Sequence, residues 1–173
     1  MNDKPSSAKL ALKWGGILGI ALIVYSTLLY TLGQTANTGL SSLIYVLIAA
    51  GLTLGIRDYK MLNGGYLSIG EGVGLGALLS AVSGLLSSAY SVIYTTIIDP
   101  GIREQMANQM RAKLEEQGNL TDEQIDQAME ITQKFQTPGL QFLVGVLGSI
   151  FIGVIFSLII SAIMRKKRAN PFD

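Results

Sequence analysis

Residues 72–88 read GVGLGALLSAVSGLLSS, and residues 145–161 read GVLGSIFIGVIFSLIIS. The first stretch places Gly72, Gly76, Ser80, Gly84 and Ser88 four residues apart, and the second does the same with Gly145, Ser149, Gly153, Ser157 and Ser161. Both ladders lie in uncharged segments, Gly72 to Ile98 and Phe135 to Met164, each long enough to cross a bilayer as a helix. Lipid removes most of the hydrophobic drive between helices, so association there depends on close backbone approach, which a stripe of Gly and Ser permits. The spacing predicts that the two segments are membrane helices packed against each other along their small faces. A homodimer built on one ladder is the competing arrangement.

The rest of the chain fits a membrane protein. Of 173 residues, 49% are hydrophobic and 14% charged, unlike an ordinary soluble surface. Trp14 to Leu32 is an uncharged run of membrane-spanning length, and Leu40 to Ile56 gives a second, shorter one after the turn-like Gly33 to Gly39 segment. A third apolar segment follows the Gly64-Gly65 turn, interrupted by Glu71, and the fourth runs from Leu140 to Met164. The expected fold is an all-α membrane protein, one integral domain over residues 1–173. Its four transmembrane helices cover about 14–32, 40–56, 67–98 and 140–164, with a helical hairpin at 99–139 inserted between the third and fourth. The first apolar run exceeds the usual signal-peptide core and lacks a small-x-small cleavage site, so it reads as an uncleaved anchor.

Charge is strongly segregated. Nine of the thirteen Lys and Arg lie in the N-terminal tail, the loop after the second span and the C-terminal tail, whereas eight of the twelve acids lie between Asp99 and Glu130. Lys4, Lys9, Lys13, Arg57, Lys60 and the Arg165 to Arg168 cluster place both termini in the cytoplasm and the 99–139 segment outside.

Within that outer segment, Asp99-Pro100 reads as a helix start with Asp99 as N-cap, and Ile102, Met106, Met110 and Leu114 form an apolar stripe. Gly118-Asn119 reads as a stop. Thr121 with Gln124 then fits a capping box, Leu120 with Ile125 its hydrophobic staple, and Ile125, Ala128, Met129 and Phe135 continue the apolar side. With four basic and eight acidic residues, a net of −4, the segment would be repelled by anionic headgroups.

Residues that carry chemistry are scarce. The chain has no His and no Cys, which excludes thiolate and imidazole metal sites, disulfides, Cys nucleophiles and His general bases. Glu71 is the acid inside an apolar span; its place near a helix start favours a dipole role over proton or cation handling. The alternating Gly70, Gly72, Gly74 and Gly76 lack the Lys and the preceding strand of a phosphate loop. Gly15 and Gly19, and Gly51 and Gly55, extend the small-residue theme to the first two spans. Trp14, Tyr90 and Tyr94 read as interface anchors, and Ser87, Ser88, Ser91, Thr95 and Thr96 as helix-to-helix or backbone hydrogen bonds in preference to a wet cleft. No catalytic, cofactor or metal residue is assigned.

The Asn63-Gly64-Gly65 turn, the Tyr94 to Asp99-Pro100 exit, the Gly118 to Gln124 hairpin centre and the Gly153 to Lys167 ending resemble an uncharacterised bacterial family of small four-helix membrane proteins. That resemblance covers nearly the whole chain and implies a Gram-negative inner-membrane location with the hairpin in the periplasm; it implies no activity. The functional expectation is a non-enzymatic scaffold or accessory subunit, embedded in the lipid bilayer and without nucleic acid, that meets a protein partner through residues 99–139. The alternative is a small transporter or channel subunit using Glu71.

Overall fold

A computed structural model describes residues 5–135 and 137–166. Lys4, Lys167 and Arg168 of the expected basic tails lie outside the described residues. The described residues form six α-helices: α1 (Ser7–Thr31), α2 (Thr38–Leu62), α3 (Ile69–Ile93), α4 (Ile102–Gln117), α5 (Asp122–Phe135) and α6 (Pro138–Met164). α1, α2, α6 and α3 with its extension to Ile98 are long and apolar enough to span a membrane, so this is an all-α membrane protein. α4 and α5 form the hairpin.

The helices outrun the uncharged segments because their ends are capped in more polar sequence. Ser6 accepts a hydrogen bond from Lys9 N at 3.4 Å, and Asn37 accepts one from Leu40 N at 3.2 Å, starting α1 and α2 on orphan amides. α3 begins at Ile69, slightly later than expected. Residues just before it are extended, with Leu67 and Lys166 exchanging two backbone hydrogen bonds of 3.0 Å. Lys60 donates to Met164 O at 2.8 Å, so the α2–α3 loop and the end of α6 are tied together at the tail end of the bundle.

α3 is the centre of the bundle and α6 its most exposed member. Their shared interface is the largest, followed by that of α1 with α3. The two ladders mate rung by rung in antiparallel register: Gly72 faces Ser161, Gly76 faces Ser157, Ser80 faces Gly153, Gly84 faces Ser149 and Ser88 faces Gly145. At each rung a glycine meets a serine. A Cβ on Gly84 would sit 2.7 Å from Ser149 Cβ, and one on Gly72 would overlap the Ser161 hydroxyl. Gly15 of α1 meets α3 in the same way, since a Cβ there would fall 2.7 Å from Leu79 O, and a Cβ on Gly55 of α2 would fall 2.6 Å from Leu79 Cδ1.

The core follows from this close approach. Leu52, Ile56, Leu75 and Leu79 are fully buried between the helices, with Leu18 and Leu22 beside them. Three serines turn their hydroxyls onto backbone, Ser149 donating to Ser80 O at 3.0 Å, Ser157 to Val154 O at 3.0 Å and Ser83 to Ser80 O at 3.3 Å, whereas the buried hydroxyls of Ser80 and Ser161 meet no hydrogen-bond partner among the described residues. The centre is therefore filled by aliphatic side chains and small serines, most of them bonded to backbone carbonyls.

At the other end, α3 widens into a π turn, Tyr94–Ile98, closed by Asp99 N donating to Tyr94 O at 2.8 Å. This corrects the expected Asp99 cap. Pro100 disfavours helical backbone at Asp99, whose φ of −141° and ψ of 83° are not helical, so the chain breaks and α4 restarts at Ile102 with Gly101 at the cap position. The turn leaves Ile97 and Ile98 exposed, 74% and 57%.

The hairpin matches expectation at its centre. Gly118 is left-handed at φ +64°, Thr121 N donates to Gln124 Oε1 at 2.9 Å, and Gln124 N to Thr121 Oγ1 at 3.4 Å. The apolar stripe is only partly used. Ile102, Ile125 and Met129 are buried, but Met110 and Phe135 are exposed, because two helices alone cannot enclose a full stripe.

Candidate functional site

α4 is held to the bundle by polar side chains. Gln109 clamps the α1–α2 loop with both ends of its amide, accepting from Thr35 Oγ1 at 2.9 Å and donating to Gly33 O at 3.3 Å. One turn further on, Lys113 reaches Thr38 Oγ1 at 3.2 Å. These contacts went unread in the sequence, where Gln and Lys on an amphipathic helix look like a solvated face.

Beneath the start of α4 lies a cluster of hydroxyl and aromatic groups contributed by α1, α3, the π turn and α6. Tyr90 and Thr27 share a 2.6 Å hydrogen bond, and Tyr30 and Ser91 one of 3.2 Å. Gln141 donates to Ser91 Oγ at 3.1 Å and accepts from Thr95 Oγ1 at 3.3 Å, while Arg103 Nη2 lies 3.3 Å from the same Thr95 oxygen. The Tyr94 ring is buried 4.7 Å from that of Tyr30 and 5.9 Å from that of Tyr90. Tyr90 and Tyr94 are thus inward packing groups here, in place of the expected interface anchors. Thr96 and Ser87 donate to the carbonyls of Val92, at 2.6 Å, and Gly84, at 3.4 Å, as membrane helices commonly satisfy hydroxyls.

Trp14 also turns inward. Its Nε1 donates to Asp58 Oδ2 at 2.8 Å, and Lys13 Nζ sits 2.8 Å from the same oxygen, joining α1 to α2 near the tail end.

Glu71 occupies the third position of α3. Ser68 Oγ accepts from Glu71 N at 3.2 Å, and Glu71 Oε2 accepts from Ser68 N at 3.0 Å and from Ser68 Oγ at 2.9 Å. This reciprocal capping box satisfies two orphan amides at the helix start, where the dipole also favours a carboxylate.

On the hairpin, Arg111 bridges its two helices, 2.9 Å from Glu115 and 3.0 Å from Asp126. Glu115 first, then Asp126, hold the Arg111 guanidinium above its ordinary pKa. Among the described residues no three His, Cys, Asp or Glu side chains converge as a metal site. The hydroxyl cluster and the hairpin can bind and position.

No curated protein and no solved structure matches this chain. A family model described as a protein of unknown function, DUF4199, matches residues 13–166, which take in all four spans and the hairpin. The chain belongs to this family.

Proposed function

We propose that the protein is a non-enzymatic subunit or scaffold of the bacterial inner (cytoplasmic) membrane, with both termini in the cytoplasm and the hairpin outside as its recognition surface for a protein partner. The observation that carries this reading is the closely packed, aliphatic centre. Transport needs a polar path, yet the middle of the bundle is occupied by Leu52, Ile56, Leu75 and Leu79, and Glu71 is spent on capping α3. The orientation is supported by Lys9, Lys13, Arg57, Lys60, Arg165 and Lys166 gathering at the tail end, the retained-cation signature of a cytoplasmic face. The hairpin offers exposed Asp122, Glu123, Glu116 and Glu130 on its two helices.

The test is photo-crosslinking in living cells. A crosslinker at Glu116 or Glu123 is expected to capture one defined protein, whereas one at Phe151 on the exposed side of α6 captures lipid. Absence of any specific product from the hairpin, together with loss of ion flux in Glu71→Gln, would move the assignment to a transporter.

A further inference from the structure

The hairpin has four basic residues, and they are not equivalent. Arg111 and Lys134 sit on carboxylates, the latter 2.9 Å from Glu130, and Lys113 is engaged with Thr38. Arg103 makes no ion pair among the described residues, although Asp99 and Glu104 flank it in a segment where acids outnumber bases two to one. Its hydrogen-bond partners are the neutral Thr95 Oγ1 at 3.3 Å and Gln141 Oε1 at 3.5 Å, both at the outer limit of such bonds. Its Nε is buried and has no partner. A guanidinium carries five N–H donors and a permanent charge, so this half-buried group is under-compensated in both respects.

Arg103 also lines a groove of about 350 Å³ between α4 and α5. Ala107 stands between Arg103 and Arg111 along the same side of α4 and leaves the space between them open. Asn108 and Gln133 add neutral amide donors, and Glu104 is a single carboxylate in the lining.

We propose that this groove binds a phosphate group, with Arg103 as its principal ligand. The planar fork of an arginine matches phosphate oxygens bidentately, and a tetrahedral anion presents oxygens at once to Arg103 and Asn108 on the α4 wall and to Gln133 on the α5 wall. Two sources share this chemistry. Arg103 touches the outer ends of α3 and α6, the depth at which lipid headgroups lie, and Glu104 suits a phosphate that brings its own ammonium, as phosphoethanolamine does. Free phosphate from the surrounding solution is the other source. The site is independent of whether the hairpin has a protein partner.

The test uses the full chain purified in detergent. Inorganic phosphate is titrated calorimetrically, and retention of added phosphatidylethanolamine is measured by native mass spectrometry. The wild-type chain is expected to bind at least one probe, and Arg103→Gln to weaken it tenfold or more. Ala107→Glu, which leaves Arg103 in place but sets a carboxylate in the groove, is expected to give the same loss and decides the matter if Arg103→Gln fails to fold. Lipid retention without phosphate binding assigns the headgroup; phosphate binding alone assigns the soluble anion. Failure of the wild-type chain to bind either probe, or wild-type affinity in either folded variant, would overturn the proposal.

Discussion

Gly84→Ala and Gly74→Ala form a matched pair on one helix, and the difference between them measures the ladder contact alone. A Cβ at Gly84 falls 2.7 Å from Ser149 Cβ and 2.8 Å from its hydroxyl, whereas one at Gly74 meets nothing within 4 Å. Ordinary carbon contacts begin near 3.4 Å. The Gly84 variant must therefore push α3 and α6 apart by roughly 0.7 Å or more at that rung, since Ser149 Cβ is fixed to the backbone. Overpacking of this kind costs about 1–3 kcal/mol. The gain in helix propensity, up to about 1 kcal/mol for Gly to Ala, is common to both variants and cancels in the comparison. Gly84→Ala should thus be less stable than Gly74→Ala by about 1–3 kcal/mol, a factor of about 5 to 150 in the unfolding equilibrium. Unfolding by sodium dodecyl sulfate, followed by helical circular dichroism in mixed micelles, measures this difference. Ser149→Gly removes the opposing Cβ and should restore most of the loss in the double variant, a coupling expected of touching residues. Equal stability of the Gly84 and Gly74 variants would refute the mated-ladder geometry.

Asp58→Ala should leave Trp14 Nε1 without its acceptor and cost about 1 kcal/mol, the low end for a half-buried donor; because the chain has one tryptophan, a shift in its fluorescence maximum reports the lost contact directly. Glu71→Gln should insert and fold with a loss of about 0.3–1 kcal/mol, since glutamine preserves the capping box but not the dipole interaction, and complementation of a deletion strain at normal abundance is the expected growth result. For topology, cysteines introduced at Lys9 and Asn119 of this cysteine-free chain should differ in intact spheroplasts, with an impermeant thiol reagent labelling Asn119→Cys alone. Labelling of Lys9→Cys alone would invert the orientation.

The sequence by itself determined what is local. Four-residue spacing of Gly and Ser marked the packing faces of α3 and α6, because a helix repeats nearly every four residues and carries its small side chains along one stripe. Gly118 and the Thr121–Gln124 pair marked the hairpin's turn and restart, since caps act within three or four residues of chain. Glu71 was legible as a helix-start acid for the same reason. Tertiary structure decided everything that depends on which distant residue comes opposite. Tyr94 and Trp14 looked like membrane-interface anchors, yet Tyr30 receives the first and Asp58, 44 residues away, receives the second. Pro100 broke the helix where Asp99 looked like its cap, and the resulting π turn brought Thr95 to Gln141. Gln109 and Arg103 carried no mark of their roles, because a polar side chain on a helix reads alike whether it meets water, a loop carbonyl or a groove. That choice is made by the register between helices and the path of the loops, which periodicity along one helix does not encode.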